Sequence, residues 1–189
     1  VRYSLENPRA YMQSNVLGTF NVMEAARVHG VTHLMMASTS SVYGANTQMP
    51  FHENDKADTQ LTIYAASKKA NEAMAHSYAH LWDIPTTMFR FFTVYGAWGR
   101  PDLALYKFVD AMLEGRPIDI YNNGDMYRDF THVKDLVRGI RLLLDVPPVR
   151  PTCASALMEG DRLPPVAPHR VVNLGTSDKA RMRAFIDGM

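Results

Sequence analysis

Apolar positions over residues 8–29 recur at helical spacing. Tyr11, Val16, Phe20, Met23 and Ala26 fall on one stripe of a single helix, and Gly30 stands where a C-cap belongs. The period then changes. Residues 32–38 (THLMMAS) form a short, nearly continuous apolar run between turn signals, the pattern of a strand covered on both faces in a parallel sheet. The stretch 42–58 is polar, carries Gly44, Pro50 and Asn54, and reads as a loop. Residues 62–81, rich in Ala, Lys, Glu and Met, make the next helix, with Thr62 as its capping candidate. Residues 85–94 (PTTMFRFFTV) are β-branched and aromatic and read as one strand.

Beyond a loop at 96–101 the pattern predicts a helix over 103–113, a short alternating strand at 118–121 and a turn at 122–125 (NNGD). A strand at 128–132 and a helix over 133–145 follow. Residues 147–168 are proline-rich, an irregular excursion. Residues 170–174 (RVVNL) restore a strand, and a helix begins at 180. Helices alternating with buried strands imply parallel crossovers and an α/β sheet.

Composition narrows the chemistry. A net charge of +1 supplies no basic field for nucleic acid or a membrane surface. The single cysteine, Cys153, excludes an internal disulfide and a cysteine-based metal site, and fits a reducing, cytoplasmic setting. His76 and His80 share a helical i,i+4 spacing, yet no third metal ligand stands near them in the sequence, so no metal is expected. No apolar run reaches the roughly 18 residues a membrane span needs.

The candidate chemistry lies in Tyr64 and Lys68, four residues apart in IYAASKK, with Thr39 upstream in ASTSSVYG at the end of an apolar run. A phenol titrates near pH 10 when unperturbed and is a poor base at neutrality. A lysine one helical turn away favours the phenolate, and the Thr39 hydroxyl can hold a substrate oxygen in line. These are the parts needed to deprotonate a hydroxyl beside a hydride acceptor.

Several stretches extend this pattern in order along nearly the whole chain: NVLGT at 15–19, ASTSSVYG at 37–44, YAASK at 64–68, RFFTVYG at 90–96, WGRPD at 98–102 and RDFTHV at 128–133. With them the sequence resembles the extended short-chain dehydrogenase/reductase family, within it the NAD-dependent nucleotide-sugar epimerases, and among those the UDP-glucuronate 4-epimerases. The resemblance implies a Rossmann-like, doubly wound parallel sheet with a smaller substrate-binding lobe. On this reading residues 1–95 belong to the NAD-binding domain with the catalytic residues. Residues 96–189 belong mainly to the sugar-nucleotide lobe, with some segments returning to the first domain.

The resemblance also implies roles. Tyr64 takes the proton from the sugar 4-hydroxyl while hydride passes from C4 to NAD, through a transient 4-keto sugar. Lys68 bonds the nicotinamide ribose, and Asn15 matches a helix asparagine near the cofactor. Thr93 stands where many relatives have Asn and the glucuronate enzymes have Thr. Arg128 matches the arginine that pairs with the diphosphate, and the Arg100 guanidinium suits a carboxylate or the nucleotide. Ser40 and Ser41 can donate to a uronic acid, and the lack of Asp-Glu at that pair argues against a dehydratase. The expected partner is a UDP-sugar, and a homodimer through helices 8–29 and 62–81 follows from the family.

One departure is plain. The family opens on a strand, a Gly-x-x-Gly-x-x-Gly loop and a helix, which seat the pyrophosphate. Gly96 and Gly99 have two glycines at the right spacing but follow a later strand and run into Arg100-Pro101. The sequence therefore reads as N-terminally truncated, a fragment expected to turn over poorly alone. The other reading is a non-catalytic module that keeps the sugar-nucleotide lobe, distinguished from the enzyme by its failure to bind NAD.

Overall fold

The computed structural model describes residues 1, 3–150, 152 and 166–188, so most of the proline-rich excursion, including Cys153, lies outside the described residues. The chain divides into two compact units, Val1–Phe91 with Arg141–Leu174, and Phe92–Ile140 with Gly175–Met189.

The first unit is built on a parallel sheet of three strands, β1 (Leu34–Thr39), β2 (Thr86–Phe91) and β5 (His169–Leu174), in the order β1-β2-β5. Register pairs Ser38 with Arg90 and Thr39 with Phe91, and Phe91 in turn with Leu174, so the carboxyl ends of all three strands share one edge. Ahead of the sheet run two short helices, α1 (Tyr3–Glu6) and α2 (Pro8–Tyr11), a π-helical stretch (Met12–Leu17) and α3 (Gly18–His29). Gly30 ends α3 with φ 59°, a left-handed cap that costs a residue without Cβ nothing. The long helix α4 (Ile63–Trp82) begins where the Thr62 side chain accepts from the Ala65 N–H at 3.1 Å.

Met23 and Ala26 of α3, Ala75 and Tyr78 of α4, Leu34, Ile84 and Met88 form one buried cluster. Alanines at 26 and 75 let the two helices lie close together over the sheet, and each fully buried large side chain stabilises by about 1.5–3 kcal/mol. The expected stripe on residues 8–29 holds at Met23 and Ala26. It fails at Phe20, which is 41% exposed although it lies on the same helix as Met23 and Ala26.

The second unit carries β3 (Thr93–Tyr95), β4 (Tyr127–His132) and β6 (Lys179–Arg181), in the order β3-β4-β6. β3 runs parallel to β4, and β6 antiparallel to it. Helices α5 (Ala104–Leu113), α6 (Val133–Leu144) and α7 (Met182–Asp187) complete the described elements, α6 running from the second unit into the first. Asp129 ties the chain after β5 to β4, accepting from the Thr176 N–H and hydroxyl and from the Ser177 N–H at 2.9–3.1 Å.

Three sequence expectations are corrected. The strand over 85–94 is two strands, broken at Phe92, where the chain passes from the first unit's sheet to the second's. Residues 118–121 form no strand; a 3-10 turn (Tyr121–Gly124) follows, with Asn122 and Asn123 at φ 49° and 50°. Two consecutive left-handed residues cannot extend a ladder. Residues 180 and 181, read as the start of a helix, lie instead in the short strand β6, and the helix begins at Met182.

Candidate active site

β1 ends at Thr39, which is buried and extended (φ −159°, ψ 149°), and the chain turns at once into a 3-10 turn (Ser40–Tyr43). Thr39 caps that turn. Its Oγ1 accepts from the Ser41 N–H at 3.2 Å, and its own hydroxyl hydrogen points to Ser41 Oγ at a long 3.3 Å. A bond of that length is readily exchanged for a better acceptor. Ser40 and Ser41 are half-buried on the same turn. The turn closes at Gly44 (φ 57°), where a Cβ would stand 2.0 Å from the Thr59 carbonyl oxygen, so only glycine fits.

Helix α4 brings Lys68 to this edge and carries Tyr64 one turn before it. Tyr64 is half-buried in the first turn, its ring edge-on to Tyr11 at 5.9 Å between centroids. Lys68, one turn on, donates from Nζ to the Ala37 carbonyl of β1 at 3.1 Å, and burial pushes its amine below the usual lysine range. Asn15, on the π-helical stretch, donates to Ser67 Oγ at 2.9 Å, and Ser67 donates to the Tyr64 carbonyl at 2.8 Å. The asparagine therefore steadies the turn of helix that presents the tyrosine.

Behind these residues lies a buried ion pair that sequence reasoning missed. Arg90 of β2 grips Glu72 of α4 with a two-bonded fork, Nε to Oε1 at 2.9 Å and Nη2 to Oε2 at 2.8 Å. Both side chains are under 5% exposed. Ser38 Oγ donates to Glu72 Oε1 at 2.6 Å, and Lys69 Nζ reaches Oε2 at 3.1 Å. Burial pushes the Glu72 carboxyl upward, but hydrogen bonds and charge from Arg90, with help from Ser38 and Lys69, hold it below the usual carboxylate range. The Arg90 guanidinium lies over the Tyr43 ring at 4.7 Å, and Tyr43 donates to Asn173 Oδ1 at 2.8 Å. Two signals were present in the sequence. Arg90 interrupts an apolar run, and Glu72 continues the four-residue spacing of Tyr64 and Lys68.

Asn15, Thr39, Ser40, Ser41, Tyr64 and Lys68 thus all belong to the first unit. Thr93, Arg100 and Arg128 belong to the second. Thr93 is half-buried on β3, opposite Phe130 in register. Arg100 is exposed and forks onto Asp102; Arg128 is exposed on β4 and donates to the Tyr127 carbonyl at 3.1 Å.

Residues 1–151 match the model of the NAD dependent epimerase/dehydratase family. The chain is 54% identical over 187 residues to a probable UDP-glucuronate 4-epimerase of Rhizobium meliloti (strain 1021), covering 99% of this chain and 55% of that protein. The chain thus spans about half the length of the curated relatives it matches. Among solved structures, MoeE5 in complex with UDP-glucuronic acid and NAD superposes with a TM-score of 0.81 at 32% identity, over 97% of this chain and 56% of that one. The UDP-glucuronic acid 4-epimerase from Bacillus cereus, in complex with UDP-glucuronic acid and NAD, gives 0.76 at 27% identity, over 94% and 51%.

Proposed function

Since the chain belongs to the NAD dependent epimerase/dehydratase family, we propose that it carries the catalytic centre of an NAD-dependent 4-epimerase acting on UDP-glucuronate to form UDP-galacturonate. The observation that supports this most is the seating of Lys68, one helical turn beyond Tyr64 on α4, on the Ala37 carbonyl near the carboxyl end of β1, with Thr39 two residues on.

Tyr64 is the acid–base. Its phenolic oxygen accepts the proton of the sugar 4-hydroxyl and returns it after the sugar has turned, so no second acid is required. Lys68, one helical turn on, is held by the Ala37 carbonyl, and burial lowers the pKa of its amine. Thr39 releases its long bond to Ser41 Oγ and donates to the substrate oxygen, which holds the reacting hydroxyl in line with Tyr64.

The residues present fit the nicotinamide-ribose end of the cofactor: a half-buried cationic donor and a phenol stand at the carboxyl edge of parallel strands, where open α/β sheets take nucleotide ligands. Lys68 and Tyr64, with Asn15 behind them, would hold it there. NAD, when bound, accepts hydride from the sugar C4 and gives it back. Ser40 and Ser41 are assigned to the uronic carboxylate. Thr93, Arg100 and Arg128, on the second unit, are assigned to the sugar nucleotide, Arg128 to its diphosphate.

The protein is further assigned to a homodimer through the helical segment 8–29 and α4. Met12, Leu17 and Phe20 support this, standing 41–54% exposed on the first of these.

The test is direct. Alone, the protein should turn over poorly; joined to the glycine-rich NAD-binding segment of a family relative and incubated with NAD and UDP-glucuronate, it should form UDP-galacturonate, and Tyr64→Phe should lower kcat by roughly 10²- to 10⁴-fold, the usual span of a lost acid–base group. A joined protein that forms no product, or a joined Tyr64→Phe variant with undiminished kcat, overturns the reading.

A further inference from the structure

The proposed catalytic residues sit on two separate elements, Thr39 on β1 and Tyr64 with Lys68 on α4. Their relative placement therefore depends on whatever fixes the end of the strand to the helix. Backbone pairing cannot do this, because β1 is hydrogen-bonded along its length to β2 and not to α4. The ties that do exist are few. Lys68 reaches the carbonyl of Ala37, and Ser38 donates to Glu72. The first of these belongs to a residue that the reaction itself employs.

Glu72 is the joint. One carboxylate oxygen receives both Ser38 of β1 and the Nε of Arg90 of β2, at 2.6 and 2.9 Å, while the other takes Arg90 Nη2 and Lys69 Nζ. Ser38 and Arg90 are direct partners across the two strands. A single side chain on α4 thus gathers the ends of two adjacent strands. It does so one residue before Thr39, and on the helix face that carries Tyr64 and Lys68 at intervals of four. Arg90 is oriented in turn by the Tyr43 ring and by the Glu53 carbonyl at 3.2 Å. A buried ion pair is weak evidence for stability, since its desolvation offsets its attraction. Its rigidity is the property that matters here: the fork and the serine bond together leave the carboxylate one position.

We propose that Glu72, through Ser38 and Arg90, is a positioning residue for the reaction, setting the separation between the Thr39 hydroxyl and the Tyr64 phenol. The role rests on the epimerase reading above. It does not require Glu72 to touch substrate or cofactor, and it assigns Ser38 a task that its neighbour Thr39 cannot perform.

Two variants separate position from charge and from folding. Ser38→Ala cuts the strand's tie and leaves Glu72 paired with Arg90 and Lys69, so no buried charge is orphaned. Glu72→Asp keeps the charge and shortens the reach, so that Ser38 and Arg90 cannot both be held. Each is compared with wild type, all three joined to the same glycine-rich NAD-binding segment, for kcat, KM and the pH profile, at a temperature where circular dichroism shows all three proteins folded. The expected result is a kcat lowered on the order of tenfold or more in both variants, with KM for the sugar nucleotide within about twofold and the acid limb of the pH profile unmoved. Misplacement of reacting groups by about 1 Å is enough for losses of that size. Two results overturn the role: variants that keep the wild-type kcat, or a loss that appears equally in KM. A wild type without epimerase activity overturns the functional reading and the positioning role with it, whereas an active wild type with indifferent variants overturns the positioning role alone.

Discussion

His169 opens β5 almost fully buried, 4% exposed, with Nε2 lacking a hydrogen-bond partner among the described residues. Burial, with a lesser contribution from His76, whose ring centroid lies 5.3 Å away, lowers its pKa from 6.5 to about 4; Lys69 pushes the same way and Glu72 opposes. A histidine buried neutral binds fewer protons folded than unfolded between those two values. Its contribution to stability is therefore complete above pH 6.5 and is lost as the pH falls towards 4, to the extent of about 3 kcal/mol at most. Melting temperature followed from pH 7 to pH 4 should fall less steeply in His169→Phe than in wild type, and equal slopes would show that the ring does not carry the effect. Residues of this kind mark the limit of reading from sequence. The places of Thr39 at a strand end and of Tyr64 and Lys68 one turn apart on a helix were legible, because each is decided by a few neighbouring residues. The Glu72–Arg90 pair joins residues 18 apart on different elements, and the burial of His169 exists only once β5 has docked.

Among the elements, α4 was legible at its start because an N-cap is decided within four residues, and Thr62 does bond Ala65. The break at Phe92 was not, because the residues on both sides have the same preference for extended backbone and differ only in which sheet receives them. β6, three residues long, is too short to display a period. The helical segment 8–29 shows a subtler loss: it holds a π-helical stretch whose Asn15 bonds Ser67, and Phe20, on α3, stands 41% exposed. That exposed ring leads to the test of the assigned dimer. Phe20→Glu should convert a wild-type dimer to monomer in sedimentation equilibrium at micromolar concentration, and a wild type that sediments as a monomer would dismiss the assignment.

Across the whole molecule, the parallel sheet was legible from the alternation of helices with apolar runs. That segments return to the first domain was an expectation of the family resemblance; which residues return, 141–174, was not legible, because no local pattern marks the change of unit inside α6. A chain cut after Asp145 keeps α4, β1 and β2 but lacks β5, so β2 presents its inner edge unpaired. Such a chain should be recovered in the pellet or fail to give the cooperative thermal transition of the intact protein; a soluble product melting like the parent would contradict this. The same connection has a consequence in time. β2 meets β5 across 83 residues of sequence, as Arg170 bonding Thr87 marks. On a ribosome adding about 5–20 residues each second, β2 leaves the exit tunnel on the order of ten seconds before its second neighbour does. For that interval an apolar strand waits half-paired, and the cell's chaperones, rather than the native contacts, decide whether it is still available when β5 arrives.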